Sequence, residues 1–176
     1  MHRRNIVGIV ATLALGFALV PGGAIAQQKS IKDQLVGAWT LLLDDGVKAD
    51  GTHVPNFGPN PVGTLMFSPT GRYSLQIVRV INRAPFASKN RDTGTADENK
   101  AVSQGTISHF GTYTVDEAGK TINFRVEGSS FPNWEGTIQK RPVTAVTDEV
   151  LTYTNPNTTT PGQGFTGGEL VWKKVK

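Results

Sequence analysis

The 176-residue chain contains no cysteine. This excludes disulfides, thiolate metal centres and a lipid-modified cysteine, so the fold must hold by packing and hydrogen bonds. Histidine is nearly as scarce: beyond His2 there are only His53, expected in the loop Asp50-Gly51-Thr52-His53, and His109. A metal site normally takes three or four His, Cys or carboxylate ligands at set spacing. Two isolated histidines do not supply one, and neither a metal nor another cofactor is expected. Asp44-Asp45 and Asp50-Gly51 lack the ligand spacing of a calcium loop. Charge of one sign is not concentrated either. Lys and Arg number 18 against 14 Asp and Glu, and Lys173-Lys174 is the one basic pair that stands out. That pattern argues against a nucleic-acid partner. Nucleophile-elbow, phosphate-loop and dinucleotide fingerprints are absent. No fixed period repeats, which rules out a propeller or solenoid.

A long apolar run occurs once, at the N-terminus. Arg3 and Arg4 precede the apolar stretch Ile6 to Val20, Pro21-Gly22-Gly23 breaks any helix, and Ala24-Ile25-Ala26 has the small-x-small form of a cleavage site. The stretch is short for the roughly 30 Å of a bilayer core. Residues 1–26 are therefore expected to be a signal peptide cleaved after Ala26. The mature chain would be periplasmic or secreted, with no membrane span after cleavage. Without Arg3 and Arg4, 16 basic residues face 14 acidic ones, a net charge of +2. Residues 27–176 are one domain's worth of chain, large enough to bury a core.

Within that domain, Ser30 to Leu35 reads as a single helical turn capped by Ser30. Strand-like runs follow at Ala38–Asp44, Gly63–Ser68, Arg72–Val80, His109–Val115, Thr121–Gly128, Trp134–Val143, Glu149–Thr154 and Glu169–Val175. Most are separated by links rich in Gly, Pro, Asn and Asp. Ile122, Phe124 and Val126 alternate with Thr121, Asn123, Arg125 and Glu127, as expected of a strand with one buried face. Ala96–Ser103 is the one convincing helix, and Asn155–Gly168, rich in Thr, Pro and Gly, reads as a long loop. The expected fold is all-β: an eight-stranded antiparallel up-and-down barrel with one short helix. Eight strands leave an interior suited to one small ligand.

The Gly37-Ala38-Trp39 step resembles the lipocalin signature, in which a first-strand Trp closes one barrel end against a basic residue near the last strand. Lys173 or Lys174 stands where that cation would be. A fuller resemblance runs along nearly the whole mature chain, to the bacterial and fungal lipocalin-like domain family, a divergent relative of the lipocalins. It is carried by Leu35 to Trp39, Asn60 to Phe67, Gly71 to Gln76, Phe110 to Val115, and above all the corner from Val126 to Arg141. The chain has Lys in place of the Arg that many lipocalins carry near the last strand. It also has Asn123 and Arg125 where histidine-rich residues are expected. The resemblance implies a barrel; it does not specify a reaction.

The candidate site residues cluster at that corner. Glu127, Arg141, Gln139 and Asn133 are either a polar grip on a bound molecule or a lattice that fixes the turn, since buried polar groups must be paired. Gln76, Arg79 and Arg83 pose the same question, because a one-residue shift of register exchanges inside and outside. Trp134, Phe131, Tyr113, Tyr73 and Phe67 suit either a cavity wall or a filled core. His109 opens a strand beside Phe110. The function expected is binding of a small apolar or amphipathic molecule, as carrier or sequestering protein, with Arg141, Glu127, Gln139 and Trp134 making the first contacts. One alternative is a cofactor-independent isomerase or cyclase using His109, Glu127 or Tyr113 as acid or base. The other is a plugged barrel acting as a structural or interaction module of the envelope.

Overall fold

The computed structural model describes residues 29–156 and 164–176. The expected signal peptide and the middle of the expected Asn155–Gly168 loop lie outside the described residues. Ser30 caps a short helix α1 (Ile31–Leu35), its hydroxyl accepting the Asp33 N–H. The strands follow as β1 (Gly37–Lys48), β2 (His53–Pro55), β3 (Val62–Phe67), β4 (Arg72–Val78), β5 (Thr106–Asp116), β6 (Thr121–Ser129), β7 (Ile138–Val146), β8 (Val150–Asn155) and β9 (Phe165–Lys174). A second helix, α2 (Ala96–Gln104), lies between β4 and β5. It opens with a capping box in which Thr95 and Glu98 satisfy each other's backbone N–H groups.

All pairings are antiparallel between sheet neighbours, and β1 also pairs with β9, which closes the sheet into a barrel of eight strands. β2, the ninth strand among the described residues, is an addition. It pairs with Asp45–Val47 of β1, beyond the stretch where β1 pairs with β3. Residue alternation then fills the interior. Trp39, Leu65, Phe67, Tyr73, Leu75, Ile77, Tyr113, Ile122, Phe124, Leu151, Tyr153 and Trp172 are all buried. At roughly 25 cal/mol per Å² of apolar area, this core is the main stabilising term.

The two barrel ends differ. At one end α1 caps the interior, and Trp39 sits fully buried with its indole N–H donating to the Leu35 carbonyl at 2.7 Å. Lys174, paired in register with Trp39, lies 4.9 Å over its ring and donates to the Gln34 carbonyl at 2.7 Å. The cation expected from Lys173 or Lys174 is therefore Lys174. From this end, aromatic rings run up the interior: Phe67 against Phe124 and Tyr113, Phe124 against Tyr73, Tyr73 against His109, and His109 against Trp134. The other end opens into a cavity.

Three expectations are corrected here. Trp134 is not in a strand: Pro132 starts a 3-10 turn ending at Trp134, and β7 begins only at Ile138. His53 belongs to β2 rather than to a loop, with its Nδ1 3.4 Å from Asp45 and 3.7 Å from Glu169 on the outer surface. The last part of the expected loop is strand, because Phe165–Gly168 pairs with β1.

Candidate functional site

The open end holds a cavity of about 430 Å³, within the range of small-molecule sites. Its apolar walls include Phe57, Leu75, Ile77, Phe124, Phe131 and Trp134, and its polar lining includes Asp44, Asn56, Thr106, His109, Arg141 and Tyr153.

Asp44 reaches the interior through a β-bulge. Leu41 pairs with Trp172 and Leu43 with Val171, so Leu42 is an extra residue on β1. The insertion reverses the alternation, as bulges do, and sends Asp44 inward and Asp45 outward. Asp44 is buried and accepts the Asn56 side-chain amide at 2.8 Å. Desolvation raises its pKa to about 6, the Asn56 bond opposes this, and neighbouring Asp45 adds to it while Arg141 offsets it. The segment after β2 folds across the mouth. The Asn56 N–H donates to the Asp44 carbonyl, the Asn56 carbonyl accepts from Arg79, and the Arg79 guanidinium lies over Phe57.

Arg141 is opposite Ile122 in the β6–β7 pairing and so points inward. It is buried, and desolvation lowers its pKa from the usual value while Tyr153, Tyr73 and Asp44 favour its charge. Its guanidinium donates to the Lys140 carbonyl at 3.0 Å and to the Gln139 side-chain oxygen. Among the described residues no carboxylate comes within ion-pair distance of it. His109, also buried, shares a hydrogen bond of 2.9 Å between its Nδ1 and the Tyr73 hydroxyl. Burial and the Arg141 charge push its pKa down to about 3, which leaves the ring neutral. Burial pushes the Tyr73 and Tyr153 phenols up. The buried Thr106 hydroxyl, in the same cavity, has no hydrogen-bond partner among the described residues.

The expected site residues divide sharply. Arg141, Gln139, His109 and Trp134 are brought together: three line the cavity and Gln139 holds Arg141. Phe131, Arg79 and Phe124 join them. Glu127 does not, and the expected gathering of Glu127 with Arg141 is not formed. It is the extra residue of a bulge on β6, faces solvent, and forms an ion pair with Arg72 at 2.7 Å. Asn133, Gln76 and Arg83 are exposed away from the interior. Tyr113 is buried in the closed half, where its hydroxyl donates to the Ser68 carbonyl at 2.9 Å. Tyr73 and Phe67 are core residues. Of the three acid–base candidates, His109 alone lines the cavity. Among the described residues no group of three or more His, Asp or Glu is placed to hold a metal ion. No helix among them is long and apolar enough to cross a membrane.

Comparison with known proteins gives a family match. The family model for a lipocalin-like domain matches residues 36–175. Among solved structures, the chain is similar to a lipocalin-like protein from Bacteroides uniformis ATCC 8492, with 15% identity and a TM-score of 0.43, covering 81% of this chain and 99% of that one. It is also similar to a redesigned β-barrel, with 13% identity and a TM-score of 0.39, covering 84% of this chain and 99% of that one. No curated protein matches it.

Proposed function

Since the chain belongs to the lipocalin-like domain family, we propose that it is an exported barrel that binds a small, largely apolar molecule with one polar end, as a carrier or sequestering protein. The observation that carries this reading is the contrast between the barrel's two halves. One is filled with side chains, and the other encloses about 430 Å³ between aromatic walls and a floor of Arg141, Asp44 and the His109–Tyr73 pair. A plugged envelope module has no use for buried charge at an open end, where unpaired polar groups cost stability. Binding would come from burial of the ligand's apolar area, at roughly 25 cal/mol per Å², with charge-assisted hydrogen bonds orienting it. Export is supported by the basic, apolar and small-x-small order of residues 1–26.

Native mass spectrometry of the protein, purified without refolding from the cells that make it, tests both parts. Denatured, the chain is expected to weigh what residues 27–176 weigh. Native, it is expected to carry an additional mass that is lost on denaturation. A full-length denatured mass would overturn export. A bare native mass, together with no Trp134 fluorescence response to amphipathic ligands, would overturn the carrier role.

A further inference from the structure

The cavity floor supports a more specific statement about the ligand, which rests on the binding role proposed above. Arg141 is buried and permanently cationic. Its described hydrogen bonds go to a backbone carbonyl and a side-chain amide, using two of the five N–H donors in its fork. No carboxylate among the described residues reaches it, and residues 1–28 and 157–163 contain no Asp or Glu. A buried cation without a direct counter-charge is strongly unfavourable. Asp44 is the one carboxylate among the residues lining the cavity, and it is hydrogen-bonded to Asn56 instead. Arg141 thus lines the cavity with donors to spare, and its fork matches a carboxylate.

We propose that the cavity takes a monocarboxylic acid with an apolar tail, seats its carboxylate on Arg141, and takes up one proton on Asp44 as the ligand enters. Two carboxylates enclosed beside Arg141, with Arg79 turned to the Asn56 carbonyl and the Phe57 ring, cannot both stay ionised without penalty. Asp44 is the group poised to yield, since burial already brings it to about 6. The proton moves from solvent to the Asp44 carboxylate, and the ligand remains an anion.

The other groups around Asp44 do not supply this proton. Burial keeps His109 neutral down to about pH 3 and keeps the Tyr73 and Tyr153 phenols protonated. Asn56 is a neutral amide, and the Arg79 guanidinium donates to its carbonyl. Asp45 points to the outer face beside His53 and Glu169. Acidic conditions would favour loading and neutral conditions release.

The test is calorimetric titration of the purified protein with decanoic acid and with decan-1-ol at pH 6, 7 and 8. The acid is ionised throughout this range, since free carboxyls titrate near 4–5 (about 4.3 for Glu). The Kd for the acid is expected to rise toward about tenfold per pH unit above 6, because the binding-competent fraction falls by that factor. The alcohol should show no such slope. At pH 8, titration in buffers of different ionisation enthalpy should report uptake of close to one proton. Asp44→Asn should bind the acid tightly with no slope. Arg141→Met, which keeps the aliphatic stem, should weaken the acid by about 10- to 100-fold and the alcohol far less. Equal acid affinity at pH 6 and 8, or a slope that survives in Asp44→Asn, overturns the proposal. If the alcohol binds and the acid does not, the acid preference is wrong and the binding role stands. If neither binds, the proposal falls, and the native mass measurement decides the binding role separately.

Discussion

Replacing Trp39 tests the closed end of the barrel most directly. Its side chain is completely buried, its indole N–H donates to the Leu35 carbonyl at 2.7 Å, and the Lys174 ammonium lies 4.9 Å from its ring. Truncation to alanine removes one of the two largest fully buried side chains among the described residues. It leaves a cavity that the rigid β1–β3 and β1–β9 pairings cannot collapse, and large aromatic truncations of this kind cost about 3–5 kcal/mol. Within that figure, the orphaned Leu35 carbonyl accounts for about 1–3 kcal/mol, and the lost cation–ring contact for about 0.5–1 kcal/mol at a half-exposed site.

Trp39→Phe separates these terms. It keeps most of the volume and a ring for Lys174 but loses the N–H donor, so about 1–2 kcal/mol is expected. Urea unfolding read by circular dichroism gives both numbers. With a slope of about 2 kcal/mol per M for a chain of this size, Trp39→Ala should lower the midpoint by about 2 M and Trp39→Phe by less than about 1 M. A loss below about 1 kcal/mol for Trp39→Ala would falsify the plug, because it would mean that the space refills or was never sealed.

Three further outcomes are expected. Asp44 is raised in the folded state from 3.8 to about 6, so the native protein binds more protons than the unfolded chain between those values, and its contribution to stability is lost as pH rises through that window. His109 is lowered from 6.5 to about 3, so its contribution is present above pH 6.5 and lost as pH falls toward 3. The two slopes, each about 1.4 kcal/mol per pH unit, oppose each other between about pH 4 and 6. Asp44→Asn should therefore lose stability relative to wild type as pH drops through that interval and gain up to about 3 kcal/mol at pH 7.5, while His109→Asn should show the reverse trend. Urea midpoints for the three proteins at pH 4, 5, 6 and 7.5 check this, and parallel curves would contradict it. Glu127→Gln breaks only the exposed pair with Arg72 and should change stability by less than about 1 kcal/mol; a larger loss would mean that Glu127 has a buried partner. Trp39 and Trp172 are fully buried in the closed half, whereas Trp134 lines the cavity. Ligand-induced fluorescence change should therefore vanish in Trp134→Phe, and a signal that persists would place the ligand elsewhere.

The strands were legible because one face of each is buried, and a period of two survives in residues such as Ile122, Phe124 and Val126. The same alternation already set Glu127 on the face opposite Phe124. Grouping it with Arg141 by closeness in sequence ignored that parity, and the ion pair with Arg72 is the consequence. Asp44 was missed for a different reason. Counting in steps of two from Trp39 puts Asp45 inside and Asp44 outside, and only the extra residue Leu42 reverses this. A bulge leaves no mark in composition, because it is set by how the partner strand pairs. Phe165–Gly168 looked like loop for its glycines. Those glycines sit where β9 pairs with β1 at Gly46, and the Phe165 ring lies so close over Gly46 that a Cβ there would be 2.7 Å from it.

The bulge also explains how one short barrel carries both a stable core and a costly floor. Had β1 run on in regular alternation past Leu41, the inward column would continue with Leu43 and then Asp45, and Leu43 would extend the apolar core by one layer. The bulge instead takes Leu43 out of that column and sets Asp44, followed by Gly46, on the cavity directly above Leu41. Both changes work against stability, by the loss of apolar burial and by desolvation of a charge. They are offset below, where Trp39, Leu65, Phe67, Phe124, Leu151 and Trp172 are almost completely buried. The aromatic run from Phe67 through Phe124 and Tyr73 to His109 joins the two regions, and its last member hydrogen-bonds within the floor. A local irregularity that costs stability and is kept beside an open cavity, with its carboxylate aimed inward, is what a binding site requires and a filled barrel does not.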